Sequence, residues 1–346
     1  MILEHTIIGR NVNHNYASSV ERIRHIGVAE DSRNGPVLVA PHPVMTATER
    51  PTERVLFCPN RDANPFFHFF ECLWMMSGSK DGKWLDRFVG DFSSRYGEED
   101  GTIHGAYGAR WRKWPQLYER DGLLWQLTGA DQFFDQLLTT VNLLMENKRD
   151  RRVVVSMWDP NQDLAEDVGD VPCNTHMYPR VRSTDSGAVL DLTVCCRSND
   201  IIWGATGANA VHFSFLQEWM AAQIGVGVGR MYQLSNNWHA YENTLEKVGE
   251  PQLFDHYSSV KVAPYPICRV PEAWDEDLRL FMDNPNKYVY SNSFFGEVAV
   301  PMWNTHCAWR GGHRSEAMDI VSWVAATDWQ EAARAWMQRR IDRAVK

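Results

Sequence analysis

The chain has no Cys-x-x-Cys pair. Its seven cysteines stand at positions 58, 72, 173, 195, 196, 268 and 307, a spread that speaks against zinc-finger and thioredoxin-type arrangements. The odd count, with no apolar signal-peptide core in the opening "MILEHTIIGRNVNHNY", points to a reducing compartment. No run approaches the roughly 18 consecutive apolar residues of a membrane span. Positive charge is also scarce. Thirty-five Lys and Arg against 44 Asp and Glu leave a net charge of −9, which argues against a broad nucleic-acid footprint. There is no G-x-G-x-x-G fingerprint, no P-loop, no repeat and no low-complexity tract. The expectation is a soluble, cytoplasmic protein with no metal, no membrane partner and no nucleic-acid partner.

Aromatic residues, by contrast, are abundant: 15 Trp, 15 Phe and 11 Tyr in 346 residues. They can fill a core or line a pocket for a flat ligand. Periodicity and Gly/Pro punctuation place helices near 16–28, 64–78, 131–148 and 207–225. Strands are expected over 151–158, over 188–196 and from 229, with two amphipathic helices over 315–346. Strands and helices interleave without clean βαβ spacing, so the fold class is α+β.

Several side chains carry possible chemistry. Cys173 sits in "DVPCNTHMYPRV" (170–181), between two strand-like runs. Most lone cysteines are small buried hydrophobes. This one follows Pro172 in a polar stretch, with Arg151, Arg152 and Arg197 available to favour a thiolate. Glu71 lies inside the apolar run "FFHFFECLWMM", where a carboxylate is costly unless paired or protonated; buried acids of this kind serve as proton carriers. Arg197 and Ser198 in "RSND" suit phosphate oxygens; an ordinary strand-end ion pair is an equal reading. The cluster "KRDRR" (148–152) is a second candidate phosphate clamp or a solvated turn. His239 and Tyr241, two apart, share a face if strand-like. "GATGANA" (204–210) reads as a loop whose glycines allow backbone to approach a ligand.

Taken together and in order, these motifs resemble the thymidylate synthase superfamily, which includes pyrimidine-nucleotide hydroxymethylases. The match runs from about residue 30 to about 285. "ECLW" (71–74) resembles the segment with the family's catalytic Glu and a nearby Trp, here Glu71 and Trp74. "YGARWRKW" (107–114), "VPCNTH", "RSND" and "HAY" resemble its tyrosine, nucleophile, phosphate and sugar-binding segments. "DSRNGPV" (31–37) is a fainter likeness, which would make Arg33 a phosphate ligand. The resemblance implies a large mixed β-sheet with flanking helices, the sheet packing in a homodimer. It implies a catalytic domain over 1–300, with residues 301–346 as an added helical extension packed on it.

By the same resemblance, Cys173 adds to C6 of a pyrimidine ring, and C5 then takes a one-carbon unit from 5,10-methylenetetrahydrofolate. Glu71 and Tyr107 handle protons, and Asn209 reads the base, although the "GATGAN" segment is one residue long and Ala208 could hold that slot. Arg197, Ser198, Asn199 and Arg33 serve the nucleotide, as do Arg151 and Arg152 reaching from the partner subunit. His239 and Tyr241 hold the sugar. Asp200, Trp74, Asn174 and Phe92 fall on the folate side. Departures from synthases favour hydroxymethylation: Asn174 replaces a His after the nucleophile, and the Trp pair of the folate site is missing from "RFVGDFSSRYGEEDG" (87–101). "EVAVPMW" (297–303) only partly echoes a closing tail, and more than forty residues follow. Losing that cover would admit water to the reactive carbon, where a synthase excludes water and transfers hydride. An Asn suits uracil, while cytosine stays open. Thymidylate synthase, CMP hydroxymethylase and a non-catalytic nucleotide-binding relic are the alternatives. A zinc nucleotide deaminase lacks support, because no cysteine stands at 176.

Overall fold

The structure is a computed structural model that describes residues 5–115, 117–120, 123–126, 133–164, 170–259 and 262–345. Its centre is an eight-stranded mixed sheet. The strands are β1 (Thr6–Gly9), β2 (Val28–Glu30), β3 (Val37–Val39), β4 (Val44–Thr48), β5 (Val155–Ser156), β6 (Asn174–Thr184), β7 (Gly187–Asp200) and β8 (Gly227–Tyr241). Their order is β1-β4-β8-β7-β6-β5. β3 pairs with the far end of β8 and carries β2 on its outer edge. The pairs β1/β4 and β7/β8 are parallel. Of the expected strand over 151–158, only Val155–Ser156 joins the sheet.

The helices used below are α1 (Val12–Ile26), α2 (Pro65–Met76), α3 (Tyr107–Arg112), α4 (Gln136–Glu146), α5 (Asn209–Ile224), α6 (Trp274–Asp283), α7 (Val300–Arg310), α8 (Arg314–Ile320) and α9 (Thr327–Val345). Asn64 caps α2 by accepting from the amides of Phe66 and Phe67, and Pro65 fills the first turn, where no amide hydrogen is needed. α2 and α5 are apolar nearly all round, so both are buried. α5 stops at Gly225, whose φ of 72° suits a residue without a Cβ.

Alternation along β7 sends Leu190, Leu192, Val194 and Cys196 into the helix-covered core. The opposite face is open. Ile8 is 63% exposed, Tyr178 40% and Leu234 40%, and the registers of β1, β4, β8, β7 and β6 bring this face together. Among the described helices none is long and apolar enough to cross a membrane.

The C-terminal segment joins the same core. Trp329 meets Phe69 with ring centroids 5.2 Å apart, Trp336 meets Phe66 at 5.7 Å, and Trp303 meets Phe70 at 5.6 Å. "EVAVPMW" is helical, with Val298, Ala299 and Met302 fully buried, so it cannot act as a mobile tail. Asp62 ties α9 down through Arg339, Arg340 and Arg343.

At the start of α9, Asp328 is buried. Its carboxylate accepts from the Tyr257 hydroxyl at 2.9 Å and from the Trp329 amide at 2.8 Å. Burial pushes this carboxyl up to about 7, against the pull of those hydrogen bonds and of Arg54. The folded value lies above the unfolded value of about 3.9. Its contribution to stability is therefore present below about pH 4 and lost as pH rises through 7. Asp328→Asn keeps an acceptor for Tyr257 and removes the titration. The gap in stability between variant and parent should widen in the variant's favour from pH 5 to 8, by on the order of a few kcal/mol. Thermal unfolding of both across that range measures it, and parallel curves would refute the assignment.

Candidate active site

A cleft of about 390 Å³ opens where the C-terminal end of β7, the N-terminal end of β6 and helices α2, α3 and α5 converge. Cys173, Glu71, Tyr107 and Asn209 line it together with Ser198, Asn199, Asp200, Trp74 and Phe92. Nine of the residues singled out in the sequence thus converge from six separate stretches of chain. The C-terminal extension contributes none of the residues lining the cleft.

The nucleophile loop is held by its backbone. The amides of Cys173 and Asn174 both donate to the Tyr107 hydroxyl, at 3.0 and 3.2 Å. The Arg197 amide donates to the Cys173 carbonyl at 2.9 Å. The Arg197 guanidinium donates to the carbonyls of Pro172 (2.8 Å) and Val171 (3.0 Å). A register shift between Asn174 and His176 bends β6 at this point, as bulges beside active sites do. Cys173 reaches solvent through the cleft, yet the packed loop around it pushes its thiol above the ordinary value. Arg197 opposes that shift, while Asp170 and Asp200 add to it. Burial also raises the Tyr107 phenol strongly. Its hydroxyl therefore keeps its proton and, with two amides donating to the oxygen, has that proton to give.

Asn209 is the middle of a chain of amides. Its Oδ1 accepts from Asn174 Nδ2 at 3.0 Å, and its Nδ2 donates to Asn199 Oδ1 at 3.1 Å. Asn199 Nδ2 in turn donates to Ser235 Oγ at 2.9 Å and to Gln233 Oε1 at 3.3 Å. Asn174 is fully buried behind Asn209 and does not line the cleft, although the sequence put it on the folate side. Asp200 caps the next turn, with Oδ1 accepting from the amides of Ile202 and Trp203, while its buried Oδ2 has no partner among the described residues.

The segment expected as a ligand-approach loop is instead a wide helical turn, Ile201–Ala208, running directly into α5. Its glycines serve internal packing. A Cβ at Gly204 would stand 2.6 Å from Asn199 Oδ1, and one at Gly207 would stand 2.8 Å from the Ile202 carbonyl. Ala208 also lines the cleft.

The remaining predicted residues stand outside the cleft lining. His239 pairs in register with Asp200 across β7/β8, and its ring stands 5.6 Å from that of Tyr241. Asn34, beside Arg33, donates to the Tyr241 hydroxyl at 3.4 Å; Arg33 itself is exposed. Arg151 and Arg152 are exposed and line a separate surface hollow with Asn147, Arg149 and Asp150. Arg152 pairs with Asp150 at 2.6 Å.

Sequence reasoning missed three cleft residues. His212 is buried on α5, with Nε2 3.0 Å from Glu71 Oε2. Asp170 is a half-buried acid whose carboxyl is pushed up by desolvation, with the nearby Glu71 adding to the rise. Trp203 lies under the Arg61 guanidinium at 4.0 Å. A polar residue inside an apolar helix, the signal that drew attention to Glu71, also marks His212 in "GANAVHFSF".

Comparison with known proteins agrees with this geometry. Residues 14–261 match the description of the family named "Thymidylate synthase". The chain is 40% identical over 348 aligned positions to a "Deoxyuridylate hydroxymethyltransferase" of Pseudomonas phage M6, covering 96% of this chain and 93% of that protein. It is 33% identical over 208 positions to a protein of the same name from Bacillus phage SP01, covering 58% of this chain and 49% of the other. It is 27% identical over 187 positions to a "Thymidylate synthase" of Corynebacterium aurimucosum, covering 54% and 63%. The chain belongs to the thymidylate synthase family.

Proposed function

We propose that this enzyme transfers a one-carbon unit from 5,10-methylenetetrahydrofolate to C5 of dUMP and releases it as a hydroxymethyl group. The observation that carries the reading is the convergence of Cys173, Glu71, Tyr107 and Asn209 on one cleft. The near full-length relation to a deoxyuridylate hydroxymethyltransferase supports the choice of reaction.

Cys173 Sγ adds to C6 of the ring, which makes C5 nucleophilic enough to attack the one-carbon donor. Tyr107 and Glu71 manage the C5 proton. The amide of Asn209 has one lone pair and one hydrogen left after its own network, and these match uracil N3–H and O4. The free Oδ2 of Asp200 suits a pterin donor, and Trp74, Phe92 and Tyr96 offer ring faces on that side. Ser198 and Arg197 serve the phosphate side, with Arg33, and His239 and Tyr241 serve the sugar.

The exposed sheet face bearing Ile8, Tyr178 and Leu234 is the surface for a second copy. That arrangement would bring the partner's exposed arginine pair, equivalent to Arg151 and Arg152, to the phosphate. Residues 1–300 form the catalytic domain, and 301–346 form a helical extension that packs on it. The site of action is the cytoplasm.

The test is the mass of the product. The full-length protein, incubated with methylenetetrahydrofolate and separately with dUMP, dCMP and CMP, should convert dUMP. The product should carry one added CH2O, with tetrahydrofolate released. One added CH2 with dihydrofolate formed would make the protein a methylating synthase. Reaction of a cytosine nucleotide would overturn the base assignment.

A further inference from the structure

Glu71 has a neighbour with no role in the scheme above. His212 is buried at the cleft wall, and its Nε2 stands 3.0 Å from Glu71 Oε2. The two atoms are not aligned as a hydrogen bond, and neither has another partner among the described residues. Leaving two polar atoms unsatisfied in a packed interior costs about 1–3 kcal/mol for each, unless a water or a reacting group takes up both.

The placement follows from helix geometry. Glu71 is on α2, and His212 is on α5, which packs against it. Asn209 and His212 are three apart on α5, so the amide and the imidazole share one face. Asp170 and Cys173 line the same cleft, so an acid, an imidazole, a second acid and the thiol surround one volume. Behind His212 stands His68, which burial, Arg61 and His212 keep neutral.

We propose that Glu71 and His212 together hold the water that adds to the one-carbon unit, with His212 as the positioning residue. The inference rests on the hydroxymethylation reading. After transfer from the donor, the Cys173-bound ring carries a methylene doubly bonded to C5 and conjugated with the C4 carbonyl. The water oxygen forms a bond to the methylene carbon, and the π pair moves to the C4 oxygen as an enolate. The water proton passes to the Glu71 carboxylate. The enolate then re-forms C4=O, C5=C6 closes, and the C6–S bond breaks to release the Cys173 thiolate. One water is consumed, one proton is taken up, and no reductant enters. His212 Nε2 fixes the water in the line of attack, with Glu71 Oε2 as that water's second partner, which converts a free water into an oriented one.

The test separates the steps before and after water addition. Full-length protein, His212→Leu and His212→Gln are compared with dUMP tritiated at C5. Tritium release reports transfer of the one-carbon unit. The hydroxymethyl product reports hydration. A thioether formed with added 2-mercaptoethanol reports methylene that water failed to capture.

His212→Leu should release tritium at a rate within about threefold of the parent, while hydroxymethyl product falls about 100-fold and the thioether takes its place. His212→Gln, which keeps a polar contact, should restore much of the product. Parallel loss of tritium release and product, with 5-fluoro-dUMP still captured covalently, would overturn the proposal, as would an unchanged product ratio. Should the leucine variant fail to fold, the glutamine variant carries the test: a thioether share no higher than the parent's would overturn it. If the parent protein itself makes a methyl product, the reading beneath the proposal fails instead.

Discussion

Cys173→Ala is expected to abolish product formation, by on the order of 10⁴-fold or more, and to leave dUMP binding within about threefold of the parent. The separation follows from how the loop is built. The contacts that hold it run to the backbone: the amides of 173 and 174 to Tyr107, the Arg197 amide to the 173 carbonyl, and the Arg197 guanidinium to the carbonyls of 171 and 172. Alanine keeps them all. The substitution removes only the sulfur, so the loss is chemical.

Single-turnover kinetics and equilibrium binding measure the two quantities, and residual turnover above a hundredth of the parent's would eliminate the covalent route. A second consequence concerns pH. The thiol of the free protein is held above its ordinary value by burial, against Arg197. The reactive thiolate is therefore scarce at neutral pH, and kcat/KM of the parent should climb as pH rises from 7 toward 9. A level profile would mean that the loop does not govern the ionisation.

That loop was legible in the sequence because its signals are local. A Pro-Cys pair between two strand-like runs, and a glutamate in an apolar helix, need only neighbouring residues to stand out. The helices and long strands were legible for the same reason, since period and cap residues are written in short windows.

Where the reading went astray, the cause was distant contact. "GATGA" has the glycine content of a loop, but Asp200 caps it from one side and Asn199 crowds Gly204 from the other, and it closes into a wide helical turn. "RRVVVSMW" has β-branched residues suited to a strand, yet only two of its residues find a partner edge. The amide chain through Asn174, Asn209 and Asn199 joins three residues from three elements, so no window contains it. His212, a polar residue inside the apolar helix α5, carries the same local signal as Glu71.

Asn209→Asp is expected to lower the preference for dUMP over dCMP, as a ratio of kcat/KM, by at least about 100-fold. The amide now has Oδ1 fixed toward Asn174 and Nδ2 fixed toward Asn199. What remains is one acceptor and one donor, the complement of uracil's N3–H and O4. A carboxyl group still accepts from Asn174, but it loses the donor to O4 and can accept from the amino group of cytosine.

The introduced carboxylate also faces Asn199 Oδ1, which repels it. Asn199 can relieve this by turning its amide over, and its oxygen then meets Ser235 Oγ, which can donate, and Gln233 Oε1, which cannot. Gln233 is not free to follow, because its Nε2 is held by the Ala205 carbonyl at 2.8 Å. The cost of the switch therefore falls on the Asn199–Gln233 contact, at about 1–3 kcal/mol for an unsatisfied buried group. The variant should consequently lose more activity on dUMP than it gains on dCMP. Steady-state kinetics on both nucleotides decide the matter: an unchanged ratio would show that Asn209 does not read the base.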